Sequence, residues 1–145
     1  MKKKISIISS AFNEQENVWE LYTQVKAEMA KYADKYDYEQ LVLDNASTDG
    51  TLEELRKIAA QDPHFKVIAN TRNFGHIRSP YYGILQCFGD AVIYMASDLQ
   101  DPPALIGQFL AKWEDGFKVV LAQKTQSKES VLFFAVRRFY YWLLN

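Results

Sequence analysis

The stretch Ala91-Val92-Ile93-Tyr94-Met95-Ala96-Ser97-Asp98-Leu99-Gln100-Asp101-Pro102-Pro103 passes from an apolar run to a polar turn and then to paired prolines. Ala91 to Met95 suits a buried strand. Pro102-Pro103 suits the first turn of a helix, where a missing N–H is no loss. Leu105, Ile106, Phe109, Leu110 and Trp113 then recur at helical spacing. The same unit occurs upstream. Ile5 to Ser9 reads as a first strand, and Val18, Leu21, Tyr22, Val25, Met29 and Tyr32 as the face of the next helix, opened by a capping box of Asn13 with Glu16. Leu41-Val42-Leu43 is a second strand, Asn45 to Gly50 a turn cluster, and Leu52, Leu55, Ile58 and Ala59 a helix face ended by Asp62-Pro63. Phe65 to Ala69 is a third strand. Asn70 to Gly75 is a loop, and Ile84, Leu85 and Phe88 mark a helix that Gly89 closes. Downstream, Lys118 to Ala122 reads as a fifth strand, residues 123–130 as a loop, and Val131 to Asn145 as a helix rich in Phe, Tyr and Trp.

Strands alternating with helices predict an α/β fold, a mostly parallel sheet flanked by helices. Ligands of such sheets bind outside the carboxyl ends of the strands. The polar residues fall there: Ser10-Ala11-Phe12-Asn13-Glu14, Asp44-Asn45-Ala46-Ser47 and Ser97-Asp98-Leu99-Gln100-Asp101. Their placement points to a polar ligand.

Composition narrows the classes. The chain has 145 residues, which suits one domain, with 48% hydrophobic and 24% charged residues. A net charge of -1 gives no argument for a nucleic-acid partner. Cys87 is the only cysteine, which leaves no disulfide framework and fits a cytoplasmic setting. Lys2 to Ile8 does not read as a signal peptide, and no run of about 18 apolar residues suits a membrane span. There is no Gly-x-Gly-x-x-Gly and no Gly-x-x-x-x-Gly-Lys-[Ser/Thr], which removes the sequence support for a dinucleotide oxidoreductase or a P-loop enzyme.

Asp98, Gln100 and Asp101 offer oxygen ligands for a hard divalent cation just past a buried strand. Asp98 reads as the ligand; Asp101, before two prolines, reads first as a helix cap. Asp44 ends a strand, where a carboxylate can accept from a ribose hydroxyl or a base N–H, or satisfy backbone donors of its own turn. Asp49 reads as the cap of the following helix. Arg72 could pair with phosphate. His76 and Arg78 are open between ligand contact and a structural or surface role.

Four blocks in order resemble the signature of family 2 glycosyltransferases: Ser10 to Glu14, Asp44 to Thr51, Arg72 to His76, and Asp98-Leu99-Gln100-Asp101-Pro102-Pro103. The polyprenyl-phosphate sugar transferase branch, similar to dolichol-phosphate mannosyltransferase, is the nearest in pattern. The resemblance covers essentially the whole chain. It implies a GT-A fold, a nucleotide-diphosphate sugar donor, Mg²⁺ or Mn²⁺, inversion at the anomeric carbon, and a polyprenyl-phosphate or cell-surface glycan acceptor. It implies that Ser10, Phe12, Glu14 and Asp44 line the nucleoside pocket, that Arg72 lies near ribose and diphosphate, and that Asp98 and Gln100 hold the metal. The chain departs from the family in two residues. Ala96 stands where the first carboxylate of Asp-x-Asp is usual, and Asn45 where a second Asp is common.

The resemblance also implies that residues 1–145 are the N-terminal, nucleotide-sugar-binding part of such a domain, cut short at its C-terminus. The general base is then expected beyond Asn145. The rings of residues 131–145, beside Arg137 and Arg138, suit contact with a membrane surface, or packing on the sheet or on a second copy in a homo-oligomer. Two rival readings stand beside the transferase: a binding domain without turnover, favoured by Ala96, and a nucleotidyltransferase. The latter is expected to carry a Gly-rich basic loop after its first strand, which Ser10 to Glu14 lacks.

Overall fold

The computed structural model describes residues 2–123. The aromatic helix expected over 131–145, and all but the first residue of the loop expected before it, lie outside the described residues. The chain runs β1 (Lys3–Ala11), α1 (Val18–Ala30), β2 (Tyr36–Asp44), α2 (Thr51–Gln61), β3 (Phe65–Ala69), α3 (Gly75–Leu85), β4 (Ala91–Tyr94), a 3-10 turn (Pro103–Leu105) and α4 (Ile106–Glu114). The four strands form one sheet in the order β3-β2-β1-β4, and every pairing is parallel. The predicted α/β architecture is therefore present.

A parallel sheet needs cover on both faces. On one face Ile5, Ile7 and Ile93 pack with Leu21, Val25 and Met29 of α1 and Ile106 and Leu110 of α4. Val18, Val42, Leu55, Ile58 and Phe65 continue that core under α2. On the other face Ile8, Leu41 and Leu43 are buried beneath α3. There the close approach depends on Gly83, where a Cβ would run into the side chains of Ile8 and Leu43.

Several boundaries differ from the sequence reading. β2 begins at Tyr36 rather than Leu41, because parallel pairing with β1 extends from Lys3↔Tyr36 to Ala11↔Asp44. α3 begins at Gly75, and its buried face is Ser79, Pro80 and Gly83. Ile84, Leu85 and Phe88, which marked this helix in the sequence, are exposed, since only small residues fit the gap above Ile8 and Leu43, and the helix ends at Leu85 before Gly89. The Asn13–Glu16 capping box does not form. Asn13 adopts φ 58° and its Oδ1 accepts from the Thr48 N–H at 2.8 Å, so it serves the next loop instead. Lys118 to Ala122 forms no strand. β4 pairs with β1 alone among the described residues, and an extended segment becomes a strand only when a ladder partner is present.

One buried carboxylate ties the α3 face together. Glu39 accepts from Lys4 Nζ (2.8 Å), Lys66 Nζ (2.6 Å), Ser6 Oγ (2.7 Å) and the Phe88 N–H (3.4 Å). Burial pushes its pKa up, but these donors outweigh burial and hold the carboxyl at about 2, below its ordinary 4.5. A group depressed in the folded state stabilises above its unfolded pKa, and that stability is lost as pH falls through the window from 4.5 to about 2. Glu39→Gln is expected to remove on the order of 2 kcal/mol at neutral pH and to make the acid loss shallower. Urea unfolding of both proteins from pH 7 to pH 2 measures this; parallel curves would refute it.

Candidate functional site

β1 lies between β2 and β4, so the loops after β1, β2 and β4 leave the sheet side by side at its carboxyl edge. The loop joining β3 to α3 reaches the same edge. Together they enclose an open cleft of ≈ 370 Å³, within the range of small-molecule sites. The β1 end and its loop supply Ser10, Ala11, Phe12 and Glu14; the loop after β2 supplies Asn45. Asn73, Gly75, His76 and Pro80 form another wall, and Tyr94, Ala96, Ser97 and Asp98 close the cleft from β4.

The backbone of these loops is held against its preference. Among the described residues, three that are not glycine have left-handed φ: Asn13 (58°), Ala46 (61°) and Leu99 (59°). One falls in the loop after each of β1, β2 and β4. Such a conformation costs roughly 1–2 kcal/mol for a residue with a Cβ, less for Asn, and concentrates at functional sites. Hydrogen bonds between the loops hold the strain. The Asn13 N–H donates to Ser47 Oγ (3.0 Å), the Glu14 N–H to Thr51 Oγ1 (2.8 Å), and Ser97 Oγ to the Ser10 carbonyl (2.9 Å). Asp49 Oδ1 accepts from the Thr51 N–H at 2.9 Å at the start of α2, although Gly50, not Asp49, occupies the N-cap position.

The cleft brings together Ser10, Phe12, Glu14 and Asp98 of the expected set, with His76 beside them. The side chains differ in how they are held. Ser10 Oγ shares a hydrogen bond with Ser79 Oγ (3.0 Å), and Glu14 Oε2 accepts from Asn17 Nδ2 (2.6 Å). Phe12 is 43% exposed and lines the cleft. Asp98 Oδ1 accepts from the Gln100 N–H at 3.1 Å.

Asp44, Arg72 and Gln100 are not in the lining. Asp44 is buried and its carboxylate receives the Ser47 N–H at 3.3 Å, the turn-satisfying arrangement. The Arg72 guanidinium stacks over the Phe74 ring at 4.9 Å. Asp101 does not cap a helix: Pro102 flanks the 3-10 turn, and no side-chain cap bond forms. Among the described residues, no group of three or more His, Cys, Asp or Glu side chains is placed to hold a metal ion.

The structure adds Tyr94, Asn73 and Ser79 to what the sequence suggested. Burial raises the Tyr94 phenol pKa, and Asp98 and Asp101 raise it further, so the phenol keeps its proton and can donate at the cleft. Nothing in the pattern of a buried strand distinguishes such a tyrosine from a core residue. The recurring asparagines at 70 and 73 were the visible signal for the β3–α3 loop.

A larger cleft of ≈ 730 Å³ lies at the opposite edge, around Lys26, Tyr36, Tyr38, Asp62 and His64. Its one buried carboxylate already has its partners within the protein. Asp62 accepts from Lys26 (2.7 Å), Tyr22 (2.9 Å) and the His64 N–H (2.9 Å). It lies at the amino ends of the strands and carries no left-handed loop residue. Size therefore does not decide between the two, and the carboxyl-edge cleft is the candidate site.

A parallel sheet with strained polar loops converging at its carboxyl edge defines an α/β domain whose candidate ligand site lies at that edge. The chain belongs to the glycosyl transferase family 2, whose family model matches residues 6–144. It is 36% identical over 128 residues to the uncharacterized glycosyltransferase YkcC of Bacillus subtilis (strain 168), covering 88% of this chain and 39% of the relative. It is 33% identical to an undecaprenyl-phosphate 4-deoxy-4-formamido-L-arabinose transferase of Pseudomonas fluorescens (strain Pf0-1), covering 97% and 40%. The chain thus spans about two-fifths of the length of these relatives. The fold matches the mannosyltransferase PcManGT of Pyrobaculum calidifontis, solved with GDP-Man and Mn²⁺ (TM-score 0.64, 23% identity, 78% of this chain and 32% of that one). It also matches TarS 1–349 of S. aureus, solved with UDP-GlcNAc (TM-score 0.60, 21% identity, 89% and 39%). The architecture is GT-A.

Glycine adopts left-handed φ without a steric penalty, although it is more flexible when unfolded. Ala46→Gly is therefore expected to raise stability by about 0.5–1 kcal/mol. A urea midpoint at or below that of the parent chain would show that Ala46 stores no strain.

Proposed function

We propose that this chain binds the nucleotide-diphosphate sugar donor of a glycosyltransferase in the carboxyl-edge cleft, for inverting transfer to a polyprenyl-phosphate acceptor. The observation that carries this reading is the meeting of Phe12, Glu14, Tyr94 and Asp98 in one cleft. The exposed Phe12 ring offers a stacking face for a base. Glu14 can accept from a ribose hydroxyl or a base N–H, and the Tyr94 phenol can donate to sugar or phosphate oxygens. Ser10 closes the nucleoside end. Asp44 acts from beneath by fixing the turn at Ser47, and Arg72 would reach diphosphate by leaving the Phe74 ring.

Asp98, with Gln100 two residues on, would hold Mg²⁺ or Mn²⁺. Mg²⁺ is commonly held by one or two carboxylates together with substrate phosphates, so Asp98, the one carboxylate on the β4 side of the cleft, fits a cation that arrives with the diphosphate. When bound, the cation would supply Lewis-acid stabilisation of the departing nucleotide diphosphate. Ala96 limits the protein's own contribution to that site.

The Mn²⁺ and GDP-Man bound by PcManGT support the donor and metal assignment. The relatives named as undecaprenyl-phosphate and bactoprenol transferases support the lipid acceptor. No helix among the described residues is long and apolar enough to cross a membrane; we place the work at the cytoplasmic membrane surface, with residues 131–145 as the contact or as a surface between copies. The base lies beyond Asn145 in this reading, because Glu14 serves the nucleoside and a carboxylate on a cation is a poor proton acceptor. The 145-residue chain then binds donor without sustained transfer.

Thermal unfolding with UDP or GDP, with and without Mn²⁺, tests the reading. Ligand at ~100 times its dissociation constant adds about 2.7 kcal/mol. Asp98→Ala is expected to remove the Mn²⁺ increment, and Asp101→Ala to leave it intact. The absence of any shift with either nucleotide, or a metal increment lost only in Asp101→Ala, would overturn the assignment.

A further inference from the structure

Asn45 is 4% exposed and uses both ends of its amide. Its Nδ2 donates to Asn73 Oδ1 (2.9 Å) and to the Gly75 carbonyl (3.4 Å). Its Oδ1 accepts from Asn70 Nδ2 (3.1 Å) and from the Phe74 N–H (2.9 Å). Four groups of one loop, at residues 70, 73, 74 and 75, therefore close on a single side chain. The chain of contacts continues: Asn70 Nδ2 also donates to Ser79 Oγ (3.0 Å), and Ser79 Oγ meets Ser10 Oγ. Asn73 Oδ1 in turn receives the Gly75 N–H (2.8 Å). The Asn45 backbone N–H is anchored to the Ala11 carbonyl (2.8 Å), which extends the β1–β2 ladder into the site.

We propose that Asn45 is the positioning residue for the β3–α3 loop, and that the position requires an amide rather than a carboxylate. The proposal rests on the donor reading, since this loop contributes Asn73, Gly75 and His76 to the cleft. The chemistry is specific. A carboxylate can accept from Asn70 and Phe74 but has nothing to donate. It would face the Asn73 and Gly75 oxygens acceptor to acceptor, in a buried place where an unpaired polar group is expensive. The Asp common at this position in the family would therefore not hold this chain's loop, whose partners at 73 and 75 present oxygens. Asn45 also borders the cleft, but all four of its side-chain hydrogen bonds go to the loop, so it acts through the loop.

The test compares the parent chain with Asn45→Asp and Asn73→Ala. Brief trypsin digestion reads the loop through cleavage after Arg72 and reads global unfolding through cleavage after Arg56 in α2. Calorimetric titration with UDP and GDP in Mn²⁺ reads affinity at pH 7.5 and pH 5. Asn45→Asp is expected to speed cleavage after Arg72 at least tenfold without changing cleavage after Arg56, and to weaken the nucleotide about tenfold. The deficit relative to the parent should shrink toward pH 5, because a protonated carboxyl regains one donor. Asn73→Ala, which removes one partner from the exposed end, should speed cleavage after Arg72 in the same selective way.

Parent-like cleavage after Arg72 in both variants would overturn the proposal. Equal acceleration at both sites, with a deficit unchanged by pH, would make Asn45 a residue of general stability and would also overturn it. If the parent binds neither nucleotide while Arg72 cleavage still accelerates selectively, the donor reading fails and the loop assignment stands.

Discussion

The parallel pairing of β1 between β2 and β4 is the constraint on which the site depends. Nine register pairs with β2 and four with β4 hold β1 at the centre. Parallel strands end on the same edge, so Phe12, Asn45 and Asp98, far apart in sequence, meet only because of that pairing. The apolar layers on both faces serve the same end. Ile5, Ile7 and Ile8 are fully buried, which prevents β1 from slipping by one residue and turning Ser10 away from Ser79.

The loops at that edge are costly, and their cost is matched by cross-loop hydrogen bonds rather than by regular structure. Ala46 and Leu99 sit in a backbone region that L-residues avoid, in two loops that also carry Asn45 and Asp98. A stable turn could be made there with glycine. The retained strain, together with the amide network around Asn45, describes a surface shaped in advance for a ligand. The opposite cleft shows the contrast: Lys26 pairs with Asp62, and the Tyr22 hydroxyl and the His64 N–H complete the carboxylate's hydrogen bonds.

Much of the fold was legible because buried strands and helices write their period into the sequence. β3 matched its expected span, and the helix faces of α1 and α2 held Leu21, Val25, Leu55 and Ile58 as read. The failures have physical causes. Tyr36 to Gln40 alternate polar and aromatic groups, so their strand character comes from pairing with β1. Leu85 and Phe88, large apolar residues that marked a helix, are exposed, because Gly83 and Ser79 make the close contact. Lys118 to Ala122 is apolar enough for a strand yet has no ladder. Of the site, the ordered blocks led to Ser10, Phe12, Glu14 and Asp98. Composition could not say that Asp44 would be turned into its own loop, that Arg72 would lie on Phe74, or that Asn45 would bind a loop 25 to 30 residues away.

The central claim is that a nucleoside diphosphate occupies the carboxyl-edge cleft. Hydrogen–deuterium exchange of the chain with Mn²⁺, alone and with saturating UDP or GDP, locates the ligand without requiring turnover. The account predicts slowed exchange confined to residues 10–14, 45–48, 73–76 and 96–99. Protection at residues 26–38 and 61–64 instead, around the opposite cleft, or a pattern unchanged by either nucleotide, would contradict it.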